Sequence, residues 1–419
     1  MKIEHYPITI IGAGPAGAAT ALKLDRLGIP CILVDKATFP RDKVCGDGIS
    51  HRVVDILKRW IDPAIVERFA AAQNIQLDSW GLLVEGTKNN RLDIGYLTYY
   101  NKQTDISPGF VCKRWEFDNF LVQEVKNNSL IKFYDNTEIV DFQKNTEGWL
   151  INSKNNKLVI QTQLLIVADG AQSRFARLFG GITLDPKHYM ASVKAYYKGV
   201  SGFHKDNFLE FYFLKNFLPG YFWIFPLPNG EANVGIAIVS EEVSKRKLNL
   251  KKCLAEVIET TPKFKARFEN AELISEVQGF GLPLGSKKRQ LSGDNYLLVG
   301  DAASLIDPLT GEGIANAILS GAVAAEQAVQ CLKQNDFSAT ILRGYDERIY
   351  RMRGQEFKMS YRLQKWFKSP LFFNTLIWII SKNKPLARTF AYVFNDTHLK
   401  KQLLQPSWWW KVLRNKHAV

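Results

Sequence analysis

The sequence lacks any cysteine pattern typical of disulfides. Its 419 residues include five cysteines at irregular spacing, with no CxxC pair, so no disulfide framework is predicted and a reducing compartment is expected. Long apolar runs are missing too: no stretch of about eighteen apolar residues predicts a spanning helix. The first apolar strand begins directly after Met1–His5, which leaves no room for a signal peptide. Together these absences predict a cytoplasmic protein.

Acidic residues are scarce at the end of the chain. Residues 341–419 carry sixteen Lys or Arg against four Asp or Glu, and five of the ten tryptophans, including Trp408-Trp409-Trp410. Such a tail suits nucleic acid or an anionic membrane face. No nucleic-acid motif accompanies it, so we expect peripheral contact with the inner face of a membrane and no nucleic acid. A solvated basic helix is the alternative for the row Arg343, Arg348, Arg351 and Arg353.

What is present begins with a strand, a glycine turn, a helix and a second strand. The apolar runs Tyr6–Ile11 and Cys31–Val34 flank the turn Gly12–Gly17 and a helix, and Asp35 follows. This arrangement predicts a dinucleotide site, with the pyrophosphate at the helix N-terminus and Asp35 on a ribose. The alternative is a glycine loop that only lets the helix pack on the strand.

The three glycines of this turn have different expected tasks. Gly12 permits the tight turn, Gly14 lets the backbone approach the pyrophosphate, and Gly17 lets the helix pack close to the strand.

Polar residues also occur where later elements begin or end. Arg114 opens a helix, where it can reach a phosphate or ribityl chain or form an ordinary ion pair. Asp169 and Asp301 follow apolar strands, and Asp301 can accept from a sugar or ribityl hydroxyl. The helix start at Gly311 and Gly313 presents free N–H groups.

Residues 182–280 change in character, because short alternating strands replace helices there. This pattern predicts an inserted antiparallel sheet. Tyr221, Trp223 and Phe225 share one face of a strand. That face either lines a site for a long apolar chain or packs into a core.

The segment 36–48 is a charged, glycine-rich loop that holds Cys45. Lys43 and Arg41 nearby favour the thiolate form, although a cysteine is as often an inert small hydrophobe.

In their fixed order, these stretches resemble the flavoprotein superfamily of para-hydroxybenzoate hydroxylase over most of residues 1–335. The resemblance implies FAD, with Asp301 on its ribityl chain and the Pro308–Gly313 loop beside its isoalloxazine. The predicted cofactor-binding residues are Gly12, Gly14, Ala16, Gly17, Asp35, Lys36, Cys45, Gly46, Arg114, Asp169, Gly300, Asp301, Pro308, Gly311, Gly313 and Ile314.

Two motifs resemble the geranylgeranyl reductase family more closely. Tyr221–Pro226 looks like its YxWxFP signature, although Ala237 replaces the last glycine of the GxG that follows. Lys43–Asp47 looks like its KxCGG, with Asp47 at the second glycine. The resemblance implies saturation of isoprenoid C=C bonds. The predicted substrate-binding residues are Tyr221, Trp223, Phe225 and Gly235, and the catalytic ones are Cys45, Tyr221 and Trp223; no metal is predicted.

The predicted fold class is α/β, a Rossmann-like FAD-binding domain with an inserted antiparallel-sheet substrate domain and a C-terminal basic helical region. The expected boundaries are 1–75, 107–180 and 281–335 for the FAD domain, 76–106 and 181–280 for the substrate domain, and 336–419 for the helical region.

Two other functions stay open on the sequence. One is a flavin monooxygenase or halogenase, since the WxWxIP of halogenases partly matches Tyr221–Pro226. The other is a flavoprotein that binds a lipid quinone and only transfers electrons. The electron donor, NAD(P)H or a reduced carrier, is undetermined because the chain has one glycine dinucleotide turn. The isoprenoid is equally open among archaeal-type lipid, phytyl chain and quinone tail.

Overall fold

The computed structural model describes residues 3–72, 74–95, 101–103, 105–154 and 158–382. The expected membrane contact through Trp408-Trp409-Trp410 lies outside these residues. The strands, in chain order, are β1 Ile3–Ile11, β2 Cys31–Val34, β3 Gly48–Ile49, β4 Gln76–Ser79, β5 Gly81–Glu85, β6 Arg91–Gly95, β7 Gly109–Cys112, β8 Ile131–Tyr134, β9 Ile139–Asn145, β10 Gly148–Ser153, β11 Val159–Val167, β12 Tyr189–Lys198, β13 Leu209–Tyr212, β14 Tyr221–Pro226, β15 Glu231–Val239, β16 Glu272–Leu273, β17 Gln278–Pro283, β18 Ser292–Gly293 and β19 Tyr296–Leu298.

The α-helices, in chain order, are α1 Pro15–Arg26, α2 His51–Ile56, α3 Pro63–Ala71, α4 Arg114–Lys126, α5 Arg174–Leu178, α6 Ser240–Lys245, α7 Leu250–Thr260, α8 Pro262–Arg267, α9 Ile314–Gln334, α10 Ala339–Trp366 and α11 Pro370–Lys382. A wider helical turn, Leu57–Ile61, joins α2 to α3. The helical segment that begins at His51 is therefore interrupted before Pro63, because proline cannot donate the hydrogen bond that a continuous helix needs.

The first sheet has the strand order β18-β19-β11-β1-β2-β8, with β10 paired to β11 and β9 to β10. The pairs that join β19, β11, β1, β2 and β8 are all parallel. Parallel strands buried on both faces need nearly continuous apolar sequences, and β2 (CILV) is fully buried. The carboxyl ends of β1, β2, β11 and β19 therefore share one edge, which is where such sheets bind ligands.

The second sheet has the strand order β16-β12-β15-β14-β13-β5-β6, and β17 pairs with β12 on the same edge as β16. Its pairs are antiparallel apart from β13 with β5, which run parallel. This parallel pair joins the β5–β6 hairpin, which comes from an earlier segment of the chain, to β13. Phe222 and Ile224 pack towards α7 and α8 on one face, which leaves the other face to a separate apolar cluster.

A small third sheet, β3-β7-β4, connects the two larger ones. It takes Gln76–Ser79, which the sequence analysis assigned to the substrate domain. The domain boundaries themselves stay a prediction.

The C-terminal helices α10 and α11 pack against both large sheets. Ser360 on α10 donates to Asp307 Oδ2 at 2.7 Å, and Ile377 on α11 joins the apolar cluster that contains Trp223. No helix within the described residues is long and apolar enough to cross a bilayer.

Candidate functional site

A cavity of about 690 Å³ lies between the carboxyl edge of the first sheet and the open face of the second. It brings together residues that are far apart in the chain. Thirteen of the sixteen predicted cofactor-binding residues line it, namely Gly12, Gly14, Ala16, Asp35, Lys36, Cys45, Gly46, Arg114, Asp169, Asp301, Gly311, Gly313 and Ile314. Tyr221, Trp223 and Phe225 line the same cavity.

The glycine turn has the geometry that a bound pyrophosphate needs. A Cβ on Gly12, whose φ is +98°, would lie 2.4 Å from the carbonyl oxygen of Ala168, and one on Gly17 would lie 1.8 Å from that of Gly12. Gly14 differs, because the nearest atom to a Cβ there is an Arg41 nitrogen at 3.6 Å. Two glycines therefore allow close packing, while Gly14 leaves open space above the N-terminus of α1.

Asp35 and Asp169 lie at the expected ends of β2 and β11. Asp35 accepts the Ala13 N–H at 2.6 Å and the Ala37 N–H at 2.8 Å, and its two oxygens keep further lone pairs for a ribose. Burial raises the pKa of Asp169 to about 6. Its Oδ1 is buried and has no hydrogen-bond partner in the described part of the chain. A hydroxyl or amide of a bound nucleotide would satisfy this oxygen.

Arg114 is buried in an ion pair and is not free to bind a phosphate. Its Nε and Nη2 donate to the two carboxylate oxygens of Asp118, both at 2.7 Å. Burial opposes the charge of Arg114, but Asp118 outweighs burial, so the pKa of the guanidinium lies above its usual value. The Cys45 side chain also lies near this guanidinium, and both residues line the cavity.

The sequence analysis did not place the two buried cations Arg114 and Lys194 near Cys45. The two cations that it did place there have carboxylate partners. Arg41 pairs with Asp118 at 2.7 Å, and Lys43 pairs with Asp301 Oδ2 at 3.2 Å. Asp301 therefore sits at the cavity wall, as expected, but with its own counter-ion from the loop.

The aromatic wall, which we define as Tyr221, Trp223 and Phe225, faces the cavity as one row. Tyr221 donates to the Thr310 carbonyl oxygen at 2.5 Å, so the wall touches the loop expected beside the isoalloxazine. The ring of Phe211 on β13 makes edge contacts with Tyr221 and Phe225 at centroid distances of 5.4 and 5.1 Å. Phe211, Phe213 and Leu209 extend this apolar surface, and sequence alternation along β13 was the available signal for them.

Four predicted site residues do not line the cavity: Gly17, Gly300, Pro308 and Gly235. A Cβ on Gly235 would lie 2.3 Å from the Trp223 ring, so this glycine makes room for the indole rather than for substrate. Gly300, with φ +59°, allows close approach of Ala16, and Pro308 lies beneath α10.

Asp47 is a buried residue whose role the sequence analysis did not foresee. It has a left-handed backbone (φ +65°). Its Oδ2 accepts from Tyr196 Oη at 2.8 Å and Asn233 Nδ2 at 2.7 Å, and its Oδ1 from the Arg114 N–H at 3.2 Å. Burial raises its pKa to about 6 despite the nearby charge of Lys194. The only signal in the sequence was an aspartate where the reductase motif has glycine.

Lys194 is the buried cation of this cluster. Its Nζ lies 3.5 Å from the centroid of the Tyr196 ring and 3.9 Å from Asp42 Oδ2, and it has no hydrogen-bond partner among the described residues. Burial lowers the pKa of this amine.

The basic row of α10 is partly engaged inside the protein. Arg348 pairs with Glu326 at 2.5 Å and Arg353 with Glu356 at 2.6 Å, whereas Arg343 stays exposed beside Glu347. These internal ion pairs leave fewer of the four arginines free for a partner than the sequence analysis expected. In the described ranges no cluster of three or more His, Cys, Asp or Glu side chains is suited to a metal ion.

The family model described as "FAD binding domain" matches residues 5–349. The digeranylgeranylglycerophospholipid reductase of Thermoplasma volcanium is 27% identical over 353 residues, which cover 83% of this chain and 84% of the relative. The menaquinone reductase of Mycolicibacterium smegmatis is 29% identical over 340 residues, covering 76% and 75%. The crystal structure of a geranylgeranyl bacteriochlorophyll reductase-like protein from Thermoplasma acidophilum shares the fold with a TM-score of 0.79 at 24% identity, covering 96% of this chain and 99% of that one.

Proposed function

Because this chain belongs to the FAD-binding domain family and is an FAD-dependent oxidoreductase of the geranylgeranyl reductase type, we propose that it saturates C=C bonds of an isoprenoid chain. One observation carries the proposal: the glycine turn and the aromatic wall line the same cavity. A nucleotide cofactor and a long apolar chain would therefore meet inside it.

The residues present fit FAD. Gly14 leaves open space at the start of α1, Asp35 offers free lone pairs, and the buried Asp169 Oδ1 has no partner among the described side chains. When bound, FAD supplies the hydride chemistry that amino-acid side chains lack.

The protein's own groups would hold the chain and exclude water. Tyr221, Trp223 and Phe225 offer aromatic faces to a double bond, and each face can stabilise developing positive charge by roughly 0.5–2 kcal/mol when desolvated. We assign Cys45 the role of proton donor through its Sγ, which lies near the buried guanidinium of Arg114.

The test is mass spectrometry of lipid extracts from a host that expresses the protein. We expect gains of two mass units for each reduced bond, under anaerobic conditions as well as in air. A product that forms only with O₂ would instead identify a monooxygenase or halogenase. Bleaching and reoxidation of the flavin with no change in lipid mass would identify a quinone-binding electron carrier.

The isoprenoid is assigned by class alone. The two relatives are named for a geranylgeranylated phospholipid and for menaquinone, so both an archaeal-type lipid and a quinone tail belong in the assay. NAD(P)H and a reduced carrier are the electron donors to compare.

Peripheral membrane contact through the C-terminal region is a further part of the proposal. On α11, Leu371 is 75% exposed and Trp378 is 53% exposed. The other side of this helix packs against the apolar cluster that contains the aromatic wall. Exposed indoles settle at the headgroup level of a bilayer. Flotation with anionic liposomes should weaken for Trp378→Ser and for a chain without residues 396–419. Equal flotation of all three proteins would contradict this contact.

A further inference from the structure

Asp47 lies where three parts of the molecule meet. Its own loop, 43–48, belongs to the cofactor side, Arg114 begins α4, and Tyr196 and Asn233 lie on the second sheet, directly opposite each other on β12 and β15. The carboxylate accepts one hydrogen bond from each of these three residues, at 2.7 to 3.2 Å. It is fully buried, so water cannot replace any of them.

A short chain of hydrogen bonds runs from this carboxylate to both proposed catalytic elements. Asn233 Nδ2 donates to Asp47 and also to the Cys45 carbonyl oxygen at 2.7 Å. Asn233 Oδ1 in turn accepts from Trp223 Nε1 at 2.8 Å. One amide thereby holds the backbone of Cys45 and the indole of Trp223, and Asp47 fixes the orientation of that amide.

Only a carboxylate satisfies this arrangement of donors. An asparagine at position 47 would turn an NH₂ group towards at least one of the three donors, and a glycine would offer no acceptor. Lys194, with its Nζ over the Tyr196 ring, supplies positive charge next to the buried anion.

We propose that Asp47 is a positioning residue. It holds the Cys45 loop on the second sheet and sets the placement of the Cys45 thiol relative to Trp223. The inference rests on the proposed function for its catalytic consequence. The immobilisation of Cys45 does not depend on the proposed reaction and can be tested without it.

The test compares Asp47→Asn and Asp47→Gly with wild type, all as FAD-bound full-length protein. Asp47→Gly suits the left-handed backbone, so it removes the hydrogen bonds without straining the loop. Tyr196→Phe removes one hydrogen bond from the sheet side alone. Asp93→Asn, an exposed aspartate of β6 paired with Arg91, is the matched control.

Two measurements distinguish the positioning role of Asp47 from the proposed isoprenoid reductase function. The first is the rate at which iodoacetamide alkylates Cys45, which is selective because the other four cysteines are buried. The second is kcat and KM for isoprenoid reduction.

We expect alkylation to accelerate about tenfold in both Asp47 variants and less in Tyr196→Phe, because the loop is released from the sheet. We expect kcat to fall about tenfold to a hundredfold with FAD still bound. Asp93→Asn should match wild type. Alkylation and kcat both at wild-type values in Asp47→Asn and Asp47→Gly would overturn the proposal. If neither wild type nor any variant reduces an isoprenoid, the proposed function is wrong. The alkylation rates still decide whether Asp47 positions Cys45.

Discussion

Tyr221 Oη donates to the Thr310 carbonyl oxygen, at 2.5 Å, where the second sheet meets the loop before α9. Thr310 is also held from the other side, because its N–H and its hydroxyl both donate to Asp307 Oδ1. The phenol therefore ties the aromatic wall to a loop that is already rigid.

Tyr221→Phe should lower kcat by about threefold to tenfold, the effect of losing one hydrogen bond of roughly 1 kcal/mol at a reacting surface. FAD affinity should not change, because no predicted cofactor contact is removed. Steady-state kinetics and flavin titration measure the two effects. Tyr134→Phe, on the edge strand β8, is the control. Equal activity of Tyr221→Phe and wild type would contradict this role of the phenol.

Gly14→Ala should impair FAD binding, whereas Gly17→Ala should impair folding. The Gly14 variant has space for its methyl group in the protein, so it should fold normally but bind FAD at least about tenfold more weakly, because the methyl group occupies the pyrophosphate's place. The Gly17 variant places a Cβ 1.8 Å from the Gly12 oxygen and should not fold. Circular dichroism and flavin content distinguish the two, and a well-folded Gly17→Ala protein would refute the packing argument.

Cys45→Ala should lower turnover by about a hundredfold, the usual contribution of a positioned proton donor. Flavin titration should show a smaller loss of FAD affinity than of turnover, since Cys45 lies beside the buried Arg114–Asp118 ion pair and not in the glycine turn. A parallel loss of turnover and FAD affinity would make Cys45 a structural residue. Cys112→Ala, a buried thiol on β7, serves as the control for a cysteine that has no catalytic role.

Stability should depend on pH through Asp47. Its pKa is raised by burial to about 6 in the folded protein, against about 3.9 in an unfolded chain. The folded state therefore binds the proton more tightly, so this contribution to stability is complete below about pH 4 and is lost as the pH rises through 6.

Urea unfolding of FAD-bound wild type and Asp47→Asn between pH 4 and 7.5 measures this effect. Wild type should lose on the order of 1–3 kcal/mol more than the variant over that range. Asp169 titrates in the same range in both proteins and cancels in the comparison. Parallel curves for the two proteins would contradict the prediction.

The sequence predicted those parts of the site that depend on local backbone geometry. The turn Gly12–Gly17, the strand ends at Asp35 and Asp169, and the shared face of Tyr221 and Trp223 follow from spacing along one segment. The structure has each of them where the spacing places it.

Features that depend on which strands become neighbours could not be predicted from the sequence. Gly235 lies beneath Trp223 only because β14 and β15 pair in that register. The ion pair of Arg41 with Asp118, and the network around Asp47, join residues from segments whose approach no local pattern reveals. The GxG spacing suggested a substrate contact for Gly235, whereas the structure shows a packing requirement.

The parallel pair between β5 and β13 has a consequence for synthesis of the chain. Val84 and its neighbours gain their partner only when Phe211 has left the ribosome. At about 5–20 residues per second, this delay is on the order of ten seconds. During that time the hairpin of β5 and β6 presents an apolar, unpaired edge to other nascent chains. We expect a ribosome-associated chaperone to bind this segment during that time.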